Sequence, residues 1–101
     1  MLAAFSISPM GAGDSVGDAV AAIVRVVRDS GLPNETTAMY TTVEGDPAQI
    51  FDLLQRCIAE AERFGPRVSA VIKLDHRPGR TGTLHGKVER VESLLADDTN
   101  E

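Results

Sequence analysis

Hydrophobic and polar residues change period along the chain, and the changes mark out its elements. Residues 2–8 alternate, with Ala3, Phe5 and Ile7 on one side and Leu2, Ala4, Ser6 and Ser8 on the other. Period two predicts a strand with one apolar and one mixed face. Pro9 lacks a backbone donor and is expected to end it. From about Ser15 to Ser30 the period becomes helical, with Val16, Val20, Ile23, Val24 and Val27 three or four residues apart. Asp14 or Ser15 can cap this helix, and Ser15 and Asp18 have the spacing of a capping box. Gly31 and Pro33 stop it.

Residues 34–45 hold few aliphatics but many strand formers, including Thr36, Thr37, Tyr40 and Thr41, which predicts two short strands turning near Met39–Thr41. A second helix opens at Asp46-Pro47-Ala48-Gln49: Asp46 caps, Pro47 takes the first position and Gln49 closes a capping box. Its apolar stripe is Ile50, Phe51, Leu54, Cys57, Ile58 and Ala61, and Gly65-Pro66 ends it. Residues 67–75 alternate again, with Val68, Ala70, Ile72 and Leu74 opposite Ser69, Val71, Lys73 and Asp75. A loop from His76 to His85 leads to a last helix, from about Gly86 to Leu95, carrying Val88, Val91, Leu94 and Leu95. Asp97 to Glu101 reads as a polar tail.

The order β-α-β-β-α-β plus a terminal helix predicts an α+β ferredoxin-like sandwich, one domain over residues 1–96 followed by the tail at 97–101. Two helices then cover one face of a four-stranded sheet and leave the other open. Ser6, Ser8, Ser69, Val71 and Lys73, with Leu2 and Ala4, belong to that open face. Such a surface is too apolar to be only solvated and too polar to be a core. It suits a subunit interface with polar pockets.

Composition narrows the reading. The chain has 101 residues, enough for one compact domain, and with one Tyr, three Phe and no Trp its core must be aliphatic. A net charge of −5 argues against a nucleic-acid partner. The single cysteine, Cys57, excludes an intrachain disulfide and falls on a helix stripe as a small hydrophobe. No apolar run approaches the roughly 20 residues of a membrane span, so no membrane partner is expected. The first charge is Asp14, so the start lacks the basic region of a signal peptide and a cytoplasmic location is expected.

Six segments in order carry a resemblance over residues 2–95: Ser6-Ile7-Ser8-Pro9-Met10-Gly11, Ser30-Gly31-Leu32-Pro33, Thr42-Val43-Glu44-Gly45, Pro66-Arg67-Val68, Ile72-Lys73-Leu74-Asp75 and Gly86-Lys87-Val88-Glu89. Together they resemble the thiamine-binding protein family, related to the hydroxymethylpyrimidine/thiamine-binding protein of bacilli. The resemblance implies ferredoxin-like domains that associate through their sheets, often as tetramers. It also implies binding of thiamine or its pyrimidine part, with no reaction attached. The chain departs from the family at Ala38-Met39-Tyr40-Thr41, where many relatives place Pro-Met-Gly-Thr; Tyr40 alters the turn and the pocket beside it.

The candidate ligand-binding residues follow. Ser6 and Ser8 can hydrogen-bond a ligand's amino and ring nitrogens, or else satisfy backbone or subunit groups. Glu35, Thr37 and Met39 are expected to share a strand face by period two. A carboxylate there can pair with an aminopyrimidine or balance a thiazolium charge. Glu44, with Thr42, is the second such candidate; Lys73, on the open face of a strand expected to be central, needs a partner, which Asp75 or a carboxylate from another strand can supply.

Other features carry less. Gly11-Ala12-Gly13 lacks the signatures of a phosphate loop and reads as a tight turn. His76 and His85 with Asp75 fit no standard metal spacing, so no metal site is expected. Arg77 and Arg80, in the same loop, can contact a phosphate or another subunit, or stay solvated. No nucleophile–base pair is legible, so the expectation is a binding protein rather than an enzyme. No cofactor is expected beyond a ligand such as thiamine, and a dimer or tetramer is expected. The alternative is an oligomeric assembly or regulatory protein without a small-molecule ligand.

Overall fold

The structure, a computed structural model, describes residues 1–11 and 13–99. Strand β1 (Leu2–Met10) leads through a 3-10 turn at Gly13–Ser15 into α1 (Val16–Asp29), followed by β2 (Asn34–Thr36) and β3 (Thr41–Glu44). Then come α2 (Pro47–Glu62), β4 (Arg67–Asp75) and α3 (Thr83–Thr99). The sheet order is β2-β3-β1-β4, with every neighbouring pair antiparallel. This is the expected ferredoxin-like α+β sandwich with a C-terminal helix.

The core lies between the sheet and the helix pair. Ala3, Phe5 and Ile7 of β1 and Val43 of β3 meet Ile23 and Val27 of α1 and Ile50, Leu53, Leu54, Cys57 and Ala61 of α2. The predicted capping box of α2 is present: Gln49 N–H donates to Asp46 Oδ1 at 2.8 Å, and Asp46 N–H donates to Gln49 Oε1 at 3.0 Å. Among the described residues no helix is long and apolar enough to cross a membrane.

Several expectations are corrected. Pro9 does not end β1, which continues to Met10 and pairs Pro9 with Val68. Strand β3 pairs only with Leu2–Phe5, so the second half of β1 has one free edge, where a proline is tolerated. Val16 and Val20 are each 42% exposed, while Ala19, Ile23 and Val27 are buried. Helix α1 packs on α2 as well as on the sheet, and this turns its buried line away from those two valines. Phe51 is 54% exposed, and Leu53 takes the core position instead.

Strand β4 has the expected bounds, but it is an edge strand rather than a central one. The helix pair covers it poorly, and Ile72 and Leu74 form an exposed apolar groove with Phe51. Helix α3 starts at Thr83 and reaches Thr99, longer at both ends than expected; His85 therefore lies in the helix, and 100–101 of the expected tail lie outside the described residues. The side chain of Ser15, a candidate cap, also lies outside the described residues, as does Ala12 of the Gly11–Gly13 segment.

Candidate functional site

The register sets out the open face row by row. Glu35 pairs with Thr42, Thr42 with Ala4, and Ala4 with Lys73, so these four form one row across all four strands. Ala4 alternates with the buried Ala3 and Phe5, so the row faces away from α1 and α2. By the same alternation Ser6 stands beside Val71, Ser8 beside Ser69, and Leu2 between Glu44 and Asp75. Six predicted residues, Ser6, Ser8, Glu35, Thr42, Glu44 and Lys73, thus project from one face.

At the Ser6 end a cleft of about 190 Å3 opens at the free edge of β1, between α1 and the turn after β2. Ser6, Ser8, Thr37 and Met39 all line it with Tyr40, and Val20, Ile23 and Val24 of α1 form its apolar wall. The cleft exists because β3 stops pairing at Phe5, which exposes the β1 edge where the turn after β2 folds beside it. Thr37 fixes that turn: its N–H donates to Tyr40 O at 2.9 Å and its Oγ1 donates to the same oxygen at 3.1 Å. Strand β2 is too short for Glu35, Thr37 and Met39 to share a strand face as expected; Glu35 alone is in the strand, and the other two lie in the turn. The sequence reading missed Val20 as a lining residue, because helical spacing assigned it to the core.

The other end of the face is organised differently. Glu44 is 8% exposed, and its carboxylate accepts from Thr83 N–H at 3.2 Å and from Leu84 N–H at 3.0 Å. It therefore caps α3 from 39 residues away in sequence, which no local pattern announces. Burial pushes the Glu44 carboxyl up, but hydrogen bonds from Leu84, Thr83 and Gly82, helped by the Met1 ammonium, carry it below its ordinary 4.5. The close ion pair of Asp75 is with Lys87 of α3, and Lys73 acts on it only through its charge. The Lys87 hydrogen bond and charge hold the Asp75 carboxyl below its usual 3.8.

Among the described residues no group of three or more His, Cys, Asp or Glu side chains is arranged to hold a metal. Cys57 is fully buried, and desolvation pushes its thiol up to about 11. It is expected to resist a thiol reagent such as dithionitrobenzoate in native buffer at pH 8 and to react promptly in denaturant; prompt native labelling would show that α2 opens readily.

Comparison with known proteins agrees with this architecture. The family model described as thiamine-binding protein matches residues 3–92. A UPF0045 protein of Mycobacterium bovis is 50% identical over 96 residues, 94% of each chain. The crystal structure of a hypothetical protein from Methanocaldococcus jannaschii superposes with a TM-score of 0.80 at 30% identity, covering 90% of this chain and 94% of that one. A Thermotoga maritima protein, whose name proposes a role in thiamine biosynthesis or salvage, shares the fold at a TM-score of 0.79 and 20% identity, over 89% of this chain and 96% of that one.

Proposed function

Since the chain belongs to the thiamine-binding protein family, we propose that it binds thiamine or its hydroxymethylpyrimidine part at the edge of the open sheet face, without turning it over. The observation that carries this reading is the convergence of Ser6, Ser8, Thr37 and Met39 on one cleft. Its 190 Å3 is below the roughly 300 Å3 at which pockets for whole ligands begin. That size suits one ring, with hydroxyls at hand for ring and amino nitrogens. The rest of the ligand would run along the open face toward Thr42, Glu35 and Lys73. Glu35 is the carboxylate free to balance a thiazolium charge there, because Glu44 is engaged by α3.

Self-association as a dimer or tetramer belongs to the same reading. Val71 on the open face is 58% exposed, and Val88, Val91, Leu94 and Leu95 lie exposed on α3. A second subunit over the face would bury that apolar surface and deepen the shallow site.

Calorimetry with thiamine and with hydroxymethylpyrimidine tests the proposal. Binding of one of them is expected, weakened about tenfold by the Ser6→Ala, Ser8→Ala double variant, the scale of losing two neutral hydrogen bonds. The oligomeric state of that variant should be unchanged. No binding of either compound at about 1 mM, an affinity of only some 4 kcal/mol, would overturn the reading. A stable oligomer with no ligand would then favour the pure assembly role.

A further inference from the structure

A second cleft lies at the opposite end of the sheet and has no part in the reading above. It sits between the start of β1, the 76–82 loop and the first turns of α3, and encloses about 530 Å3. Arg77, Arg80, Lys87 and Arg90 line it, four of the 10 lysines and arginines in a chain of net charge −5. Asp75 is the lining carboxylate, and Lys87 already holds it. The close ion pairs among the described residues use Arg56, Arg63 and Lys87; Arg77 feels Asp75 only through its charge, and Arg80 and Arg90 form no such pair.

Three exposed guanidinium groups lining one space make it locally positive on an acidic chain, a place that favours an anion. Thr81 and Thr83 add hydroxyls at the wall, and Gly86 leaves open space where a side chain would stand. The first amides of α3 contribute little, because Glu44 occupies them. Recognition would therefore rest on side chains.

We propose that this cleft binds a small phosphate-bearing molecule, a phosphomonoester or a diphosphate, through Arg77, Arg80 and Arg90. The planar fork of arginine matches phosphate oxygens in pairs. A lone carboxylate would need a single fork, whereas three suit an anion with several oxygens and more than one charge. A long polyanion is disfavoured by the acidity of the chain as a whole.

The test is calorimetric titration of the full chain with inorganic pyrophosphate at fixed ionic strength. Saturable binding is expected, weakened at least about tenfold by Arg80→Gln with Arg90→Gln. A control with the same charge change on α1, Arg25→Gln with Arg28→Gln, should keep the wild-type affinity. The Ser6→Ala, Ser8→Ala variant should bind pyrophosphate normally, which separates failure here from failure of the thiamine reading. No saturable binding at about 10 mM, or equal loss in both arginine double variants, would overturn the site.

Discussion

Replacing Glu44 by Gln is expected to free the first turn of α3 while leaving the sandwich folded. The carboxylate accepts from two backbone amides, and a charged acceptor is worth about 1.5–3 kcal/mol. At about 2 kcal/mol, hydrogen-exchange protection of the Thr83 and Leu84 amides should fall about 30-fold. The core sits on the other face of the sheet, so the amides of Phe5, Val27 and Ile50 should keep their protection. Unchanged protection at Thr83 and Leu84 would show that α3 docks without this cap.

The same contact should make α3 sensitive to acid. Burial raises the Glu44 carboxyl, but the amide hydrogen bonds and the Met1 ammonium leave it net below 4.5 in the folded chain. A carboxyl lowered on folding contributes stability that is fully present above its unfolded value. That contribution is lost as pH falls through the folded value. Asp75, lowered by Lys87 from 3.8, acts in the same direction and on the same helix. Protection of α3 should therefore fall with acidification below about 4.5, earlier than that of the core, and this acid step should shrink in the Glu44→Gln variant. An acid step of the same size in the variant would assign it to other carboxylates.

The second large effect is expected at Gly65. A Cβ there would stand 2.6 Å from the Met10 carbonyl oxygen and 3.2 Å from Pro9 Cβ. Both neighbours belong to the end of β1, which continues past Pro9 against this turn, so relief means shifting backbone. Gly65→Ala should cost about 2 kcal/mol, in the range of overpacked sites. In a domain of this size that lowers Tm by about 8–16 °C. Gly17→Ala is the contrast: nothing lies within 4 Å, and the position is in α1. There the change should stabilise by up to about 1 kcal/mol through helix propensity. A Gly65→Ala protein that melts like the wild type would mean that the end of β1 and the 63–66 turn part at no cost.

What could be read from the sequence was whatever depends on near neighbours. Alternation at 2–8 and 67–75 gave the two long strands, and Asp46 with Gln49 gave the start of α2 to the residue. The open face followed from the same alternation, so Ser6, Ser8 and Lys73 were placed on the correct side. What escaped depends on contacts far apart in the chain. The start of α3 is set by Glu44, 39 residues upstream. The fate of Pro9 depends on where β3 stops pairing, and the exposure of Phe51 on how little of β4 the helices cover. The cleft at Ser6 likewise comes from a strand ending one row before the serines, and Thr37 and Met39 reach it from a turn instead of a strand.

Strand β4 carries one more consequence. Its outer side is a run of nine residues with nothing hydrogen-bonded to it in the sheet order. Bare strand backbone is a template on which any extended segment can grow, which is how aggregates are seeded. Its central Val71 and Ile72 are exposed and would favour such growth. Arg67, Lys73 and Asp75 bracket them, and charges so placed must be stripped of water or set against like charges whenever a foreign strand docks in an arbitrary register. Charges at those three positions therefore oppose strand-on-strand growth along this edge.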